Sequence, residues 1–158
     1  MDKPILSTQS SKEHYAAKAC IVWCFDNRFR NALFEFAKSQ NLEPYDLVMV
    51  AGGAKSLASP NNESDRDYVL SQIETSLKLH RAGKIVLMTH SDCGAYGGLK
   101  SFGNDPKTEF EKHGTELSAA QNIVQKFLAA NDLPIGQAGL PRVPVEMIFV
   151  DFETVWEI

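Results

Sequence analysis

Residues 84–94, KIVLMTHSDCG, carry the features from which the fold can be inferred. Four apolar residues, 85–88, precede Thr89 and His90, and Cys93 and a glycine follow within four positions. A short apolar run that ends in a glycine-containing turn is typical of a buried strand. Histidine and cysteine are both metal ligands, but a His-x-x-Cys pair alone does not hold a zinc ion. We therefore expect a strand with a metal site at its carboxyl end, completed by residues elsewhere in the chain.

Length and composition limit the classes of protein that this chain can belong to. Its 158 residues fit one domain with a real core, and 44% hydrophobic with 23% charged residues is an ordinary globular composition. A net charge of −4 offers no basic excess for nucleic acid. No apolar run approaches the roughly 20 residues that span a bilayer. Residues 1–15 lack the apolar core of a signal peptide, so we expect a cytoplasmic protein.

Apolar runs and helical spacings alternate along the chain. After a loose arm over 1–15, strands are predicted at 17–25, 46–53, 84–90 and 145–152. Helices are predicted at 30–40, from a cap at Ser64 with Asp67 to about Gly83, and as one or two helices within 109–131, with a loop at 133–144. This alternation predicts a single α/β domain over 1–158 with a mainly parallel sheet between layers of helices.

Three potential ligands lie at the predicted ends of strands. The first strand ends near Cys24, the third at His90 with Cys93 just beyond, and the second at the glycine pair 52–53. Ligands of parallel α/β sheets bind beyond the carboxyl ends of the strands. If the first and third strands are neighbours, Cys24, His90 and Cys93 converge, and two thiolates with one imidazole leave a fourth zinc position open.

The remaining cysteine and histidines have simpler explanations. An odd number of cysteines in a reducing compartment disfavours a disulfide framework. Cys20 lies inside the first strand and is expected to be packed in the core. His14 and His113 lie in polar stretches and are expected to be solvated, whereas His80 is expected at the edge of a helix face.

The stretch CFDNRFR (24–30) allows two interpretations. Cys24 and Arg30 have the Cys-x₅-Arg spacing of phosphatase loops, but the stretch has no glycine, and Asp26 would repel a phosphate. In the second interpretation Asp26 and Arg28 form a pair, which on a bare surface would contribute little. Beside a metal, arginine would keep Asp26 ionised, so that Asp26 could accept a hydrogen bond from an attacking hydroxide.

Taken together, Cys24-Phe-Asp26-Asn-Arg28, Ala-Gly52-Gly53 and His90-Ser-Asp-Cys93-Gly94 resemble the motifs of the β-class carbonic anhydrases. The resemblance runs from about residue 19 to about residue 152. It implies a sheet of order 2-1-3-4, a homodimer, and reversible hydration of carbon dioxide to bicarbonate. It also implies one zinc ion per chain, an Asp–Arg dyad, and substrate contacts at the three glycines, residues 52, 53 and 94.

Two features leave the substrate and the state of the site open. Met49 and Val50 stand where most of the resembled family carries Arg-Asn, and related zinc enzymes on this fold hydrolyse carbon disulfide, which suits a drier pocket. Some members also have a closed site, in which the aspartate corresponding to Asp26 is the fourth ligand. The sequence is compatible with an enzyme acting on either substrate and with a non-catalytic zinc protein.

Overall fold

A five-stranded sheet in the order β2-β1-β3-β4-β5 runs through the middle of the computed structural model, which describes residues 3–133 and 143–158. Its strands are β1 Ala19–Trp23, β2 Tyr45–Met49, β3 Ile85–His90, β4 Val145–Val150 and β5 Val155–Glu157. The first four are parallel, and β5 is antiparallel to β4. The predicted order 2-1-3-4 is confirmed, and β5 is an addition to it. Most of the predicted loop at 133–144 lies outside the described residues.

Helices cover both faces of the sheet, as the predicted three-layer architecture requires. The helices are α1 Arg30–Ser39, α2 Lys55–Ala58, α3 Glu63–His80 and α4 Pro106–Ala130. Alternate side chains of a strand point to opposite faces, so Ile21 and Trp23 pack toward α1, whereas Cys20 and Val22 pack toward the other three helices. Burial on both faces explains why β1 and β3 are continuous apolar runs. No helix within the described residues is both long and apolar enough to cross a membrane.

The starts of the two long helices differ from the sequence prediction. The predicted cap at Ser64 with Asp67 is wrong: α3 begins two residues earlier, where the Asp65 carboxylate accepts the Asn62 amide at 3.3 Å. Asn62-x-x-Asp65 has the same capping spacing as Ser64-x-x-Asp67 and lies two residues earlier in the chain. The region 109–131 forms one helix, which begins earlier at Pro106 after an Asp105 N-cap.

Close packing brings the turn after β2 against β3, the strand that ends at the candidate ligand His90. Gly53 has φ +56°, and a Cβ atom on it would lie 2.3 Å from the Met88 carbonyl oxygen of β3. Only glycine fits this position without displacing the backbone. The turn after β2 is therefore fixed beside the carboxyl ends of β1 and β3, where the predicted ligands lie.

Candidate metal centre

Cys24, His90 and Cys93 form a buried cluster at the carboxyl edge of the sheet. One donor atom from each lies within 4.8 Å of the others, and each residue is at most 4% exposed. Cys24 directly follows β1, His90 is the last residue of β3, and β1 and β3 pair in parallel. The neighbouring strands bring together candidate ligands that are 66 positions apart in the chain, and the predicted convergence of the three side chains is confirmed.

The His90 ring is oriented with one nitrogen available to a metal. Its Nδ1 lies 2.8 Å from the Ser91 carbonyl oxygen, which can only accept, so Nδ1 carries the proton. Nε2 is buried and has no hydrogen-bond partner among the described residues. Contacts with Phe29 and Trp23 hold the ring in place. The contact at Nδ1 fixes which nitrogen is available, and a buried Nε2 with no such partner is suited to bind a metal ion.

Both cysteines are free thiols with polar contacts at sulfur. The Gly52 amide donates to Cys24 Sγ at 3.3 Å, and both residues are buried. The Cys93 thiol is the main cause that lowers the pKa of Cys24, with His90 and backbone amides contributing, so thiolate forms readily at Cys24. The same contact and burial raise the pKa of Cys93. Two sulfurs and one imidazole are a donor set that fits zinc, and three protein ligands leave a fourth position.

The predicted Asp26–Arg28 pair lies next to this cluster. Arg28 Nη2 and Nε donate to the Asp26 carboxylate at 2.7 and 3.1 Å, and the Arg28 amide donates to it at 3.0 Å. These hydrogen bonds lower the pKa of Asp26 to about 2, so its carboxylate is ionised at neutral pH. The 4.8 Å cluster includes no carboxylate oxygen within the part of the chain that the structure describes. Asp26 is thus turned toward Arg28.

The three glycines have different surroundings. The Gly52 amide donates a hydrogen bond to Cys24 Sγ. Gly53 lies so close to the β3 backbone that a side chain would not fit. Gly94 follows Cys93, and a Cβ atom there would meet no other atom within 4 Å. This leaves open space beside the cluster at Gly94, whereas all three predicted substrate contacts remain predictions.

Two functional candidates were missed because their role depends on distant contacts. Asp92 lies between two ligands and accepts from Arg28 Nη1 at 2.9 Å, and Glu109 of α4 accepts the Asp92 amide at 2.7 Å. The position of Asp92 inside the His-x-x-Cys segment was a signal that sequence reasoning could have used. Glu109 gave none, because an acidic residue near a helix start is ordinary.

The other singled-out residues give mixed outcomes. His14 is exposed as expected, and Cys20 is fully buried, with its pKa raised to about 12 by that burial. His80 ends α3 half-buried, with Nδ1 2.8 Å from Asp46. The prediction that His113 is solvated is wrong: it is 0% exposed, beneath Tyr96. The polar letters around it in sequence lie on other faces of α4, so composition concealed its burial.

The chain is similar to several known proteins. An uncharacterized protein of Rickettsia bellii is 26% identical over 79% of this chain and 80% of its own length. A second, from Rickettsia conorii, is 25% identical over 79% and 71%. The crystal structure of β-carbonic anhydrase isoform I from Trichomonas vaginalis covers 96% of this chain and 87% of its own, with a TM-score of 0.52 at 13% identity, which shows a common fold. The model of the family described as "Putative carbonic anhydrase" matches residues 14–133. The chain belongs to this carbonic anhydrase family.

Proposed function

We propose that the protein is a zinc enzyme that catalyses the reversible hydration of carbon dioxide to bicarbonate. The observation that carries this proposal is the cluster of Cys24, His90 and Cys93 beside an aspartate that is fully engaged by Arg28. Such a cluster supplies three protein ligands and leaves one position for the reaction. Membership of the carbonic anhydrase family supports the same activity.

In this proposal each group of residues around the cluster has a separate role. Cys24, His90 and Cys93 would hold the zinc ion, which would supply Lewis acidity and make water nucleophilic near neutral pH. Asp26, kept ionised by Arg28, accepts the hydrogen bond that orients the attacking oxygen. The open space beside Gly94 offers room for a small substrate. Because both cysteines must stay reduced to bind metal, a reducing compartment such as the cytoplasm suits this function.

The rival arrangement is a closed site in which Asp26 is the fourth ligand and the protein is not a catalyst. Three donor groups of Arg28, including its backbone amide, occupy both Asp26 oxygens. Moving the carboxylate to the metal would break a bidentate, charge-assisted contact, which is among the stronger hydrogen-bond arrangements in proteins. The geometry therefore favours the open site.

Carbon disulfide is a second candidate substrate. Val50 and Ala51 directly follow β2. Together with Ala95 and Lys55 they line a cavity of about 390 Å³. Ala51 and Ala95 are chain neighbours of Gly52 and Gly94, so this partly apolar cavity lies beside the metal cluster. An apolar wall suits either linear molecule, and the two substrates are to be compared directly.

We also propose that the protein forms a homodimer through the β2 edge. β2 is an outer strand of the described sheet, and Leu47 and Met49, which share one face, are 37% and 47% exposed. An exposed apolar edge strand is a surface that proteins cover or pair. A second copy of this chain would bury both side chains.

Stopped-flow measurement of carbon dioxide hydration tests the catalytic proposal. Zinc-loaded wild-type protein should accelerate hydration over buffer, and Asp26→Asn should keep its zinc while losing roughly 10–100-fold in rate. Asp105→Asn is the matched control, because Asp105 only caps α4 and asparagine is an equally good cap. A fully zinc-loaded wild type that accelerates neither carbon dioxide hydration nor carbon disulfide hydrolysis would end the proposal.

A further inference from the structure

Arg28 is held from two sides. On one side its Nε and Nη2 atoms contact the Asp26 carboxylate. On the other, Nη1 donates to Asp92 Oδ2 at 2.9 Å and Nη2 donates to the Asp92 carbonyl oxygen at 3.0 Å. Asp92 belongs to the segment between His90 and Cys93, so the loop that carries two ligands also anchors the arginine.

Asp92 is itself fixed by its surroundings. Its backbone has φ +50°, a conformation that aspartate and asparagine tolerate better than most residues. Glu109 of α4, which is 2% exposed, accepts a hydrogen bond from the Asp92 main-chain N–H. Asp92 Oδ1 accepts a hydrogen bond from the Leu99 N–H at 2.9 Å. Each carboxylate oxygen of Asp92 therefore has a separate donor: Oδ1 ties the side chain to its own loop, and Oδ2 binds Arg28.

We propose that Asp92 is a positioning residue that holds Arg28 against Asp26 and thereby keeps the Asp26 carboxylate off the metal. This inference rests on the proposed function, because it assumes an open fourth position. The side chain of Arg28 is 46% exposed, and Asp92 is the contact that ties it to the ligand loop. Without the Asp92 carboxylate, Arg28 keeps on that side only the bond from Nη2 to the Asp92 carbonyl oxygen. This weaker attachment lets Asp26 and Arg28 move together until the carboxylate reaches the cluster.

Asp92→Asn is the variant that separates this role from a general loss of structure. Asparagine keeps the size of the side chain and tolerates the positive φ. It has one acceptor oxygen, whereas Asp92 accepts from Leu99 N and Arg28 Nη1 on different oxygens. The asparagine NH₂ group must therefore face one of these donors. If the oxygen stays with Leu99 N, the Nη1 contact of Arg28 is lost and only its Nη2 contact with the carbonyl oxygen of residue 92 remains.

Azide binding to cobalt(II)-substituted protein, followed by visible absorption, reports whether the fourth position is free. We expect Asp92→Asn to keep one cobalt per chain and to bind azide at least tenfold more weakly than wild type. Asp26→Ala and the double variant Asp92→Asn/Asp26→Ala should bind azide with equal affinity, because the effect of Asp92 acts through Asp26. Asp105→Asn should behave as wild type.

The outcomes separate the two proposals. Azide affinity unchanged by Asp92→Asn, or a loss that persists when Asp26 is alanine, would overturn the positioning role and leave the catalytic proposal standing. A wild-type site that takes azide only after Asp26→Ala would overturn both, because Asp26 would then already occupy the metal. Rescue of azide binding by the second substitution is a result that misfolding of Asp92→Asn could not produce.

Discussion

Replacing His113 by leucine should remove a specific acid sensitivity from the fold. His113 is 0% exposed, its two ring nitrogens have no hydrogen-bond partner among the described residues, and Tyr96 and Phe149 lie at ring distances of 4.5 and 5.0 Å. Burial is the main cause that lowers its pKa from 6.5 to about 4, with a contribution from His90. The folded protein therefore keeps His113 neutral at pH values where the unfolded chain takes up a proton.

The size and direction of the effect follow from that pKa difference. Above pH 6.5 neither state is protonated and His113 imposes no penalty, whereas between 6.5 and 4 the unfolded state alone gains the proton. Stability thus falls with decreasing pH, by about 2 kcal/mol at pH 5 and about 3 kcal/mol once both states are protonated. Leucine at this position cannot titrate, so this part of the acid loss should vanish.

Urea denaturation of wild type and His113→Leu, in steps from pH 7 to pH 4.5, measures this difference. A constant offset in the free energy of unfolding is immaterial, because the expected result is a shallower pH dependence for the variant. Any loss of metal or titration of the cysteines is common to both proteins and cancels in the comparison. Parallel curves for the two proteins between pH 6.5 and 4.5 would refute the reasoning.

Three further outcomes are expected. Metal analysis should find about one zinc per chain in wild type and in Cys20→Ala, but none after alanine replaces Cys24, His90 or Cys93. Full zinc in the His90→Ala variant would contradict the proposed site. Gly53→Ala should lower the melting temperature by several degrees, because φ +56° and a Cβ atom 2.3 Å from a carbonyl oxygen both oppose a side chain there. Gly94→Ala should not, because open space surrounds that position. Equal melting temperatures for the two variants would argue against the close packing at Gly53. Sedimentation at micromolar concentration should show a species of about twice 17.5 kDa, which a wholly monomeric sample would exclude.

The parts of the fold that sequence could predict are those in which local pattern and tertiary packing agree. The apolar runs of β1 and β3 are buried on both faces, so their letters alone identify them. β5 has three exposed residues and is held by pairing with β4, for example Trp156 opposite Phe149, so it has no periodicity to detect. The start of α3 was predicted wrongly because two capping patterns, Asn62 with Asp65 and Ser64 with Asp67, overlap in the sequence. Local sequence alone does not decide between them.

The three candidate metal ligands were predictable from the sequence and the groups around them were not, for a physical reason. His90 and Cys93 are close in sequence, and the parallel pairing of β1 with β3 adds Cys24. The tie between Asp92 and Glu109 depends on where α4 docks, which no local pattern specifies. The same docking buries His113 and explains why its polar neighbours in sequence were misleading.

The hydrogen bond from the Gly52 amide to Cys24 Sγ has a consequence for how this site can be studied. The donor belongs to the main chain, so replacing a side chain does not delete the N–H group, and alanine scanning cannot isolate its electronic effect on the Cys24 sulfur. Proline would remove the N–H, but it cannot adopt the φ of +75° found here. Replacing the amide by an ester through chemical synthesis would expose how much the backbone tunes the sulfur. Any residue except proline at position 52 would keep this donor for as long as the turn keeps its conformation.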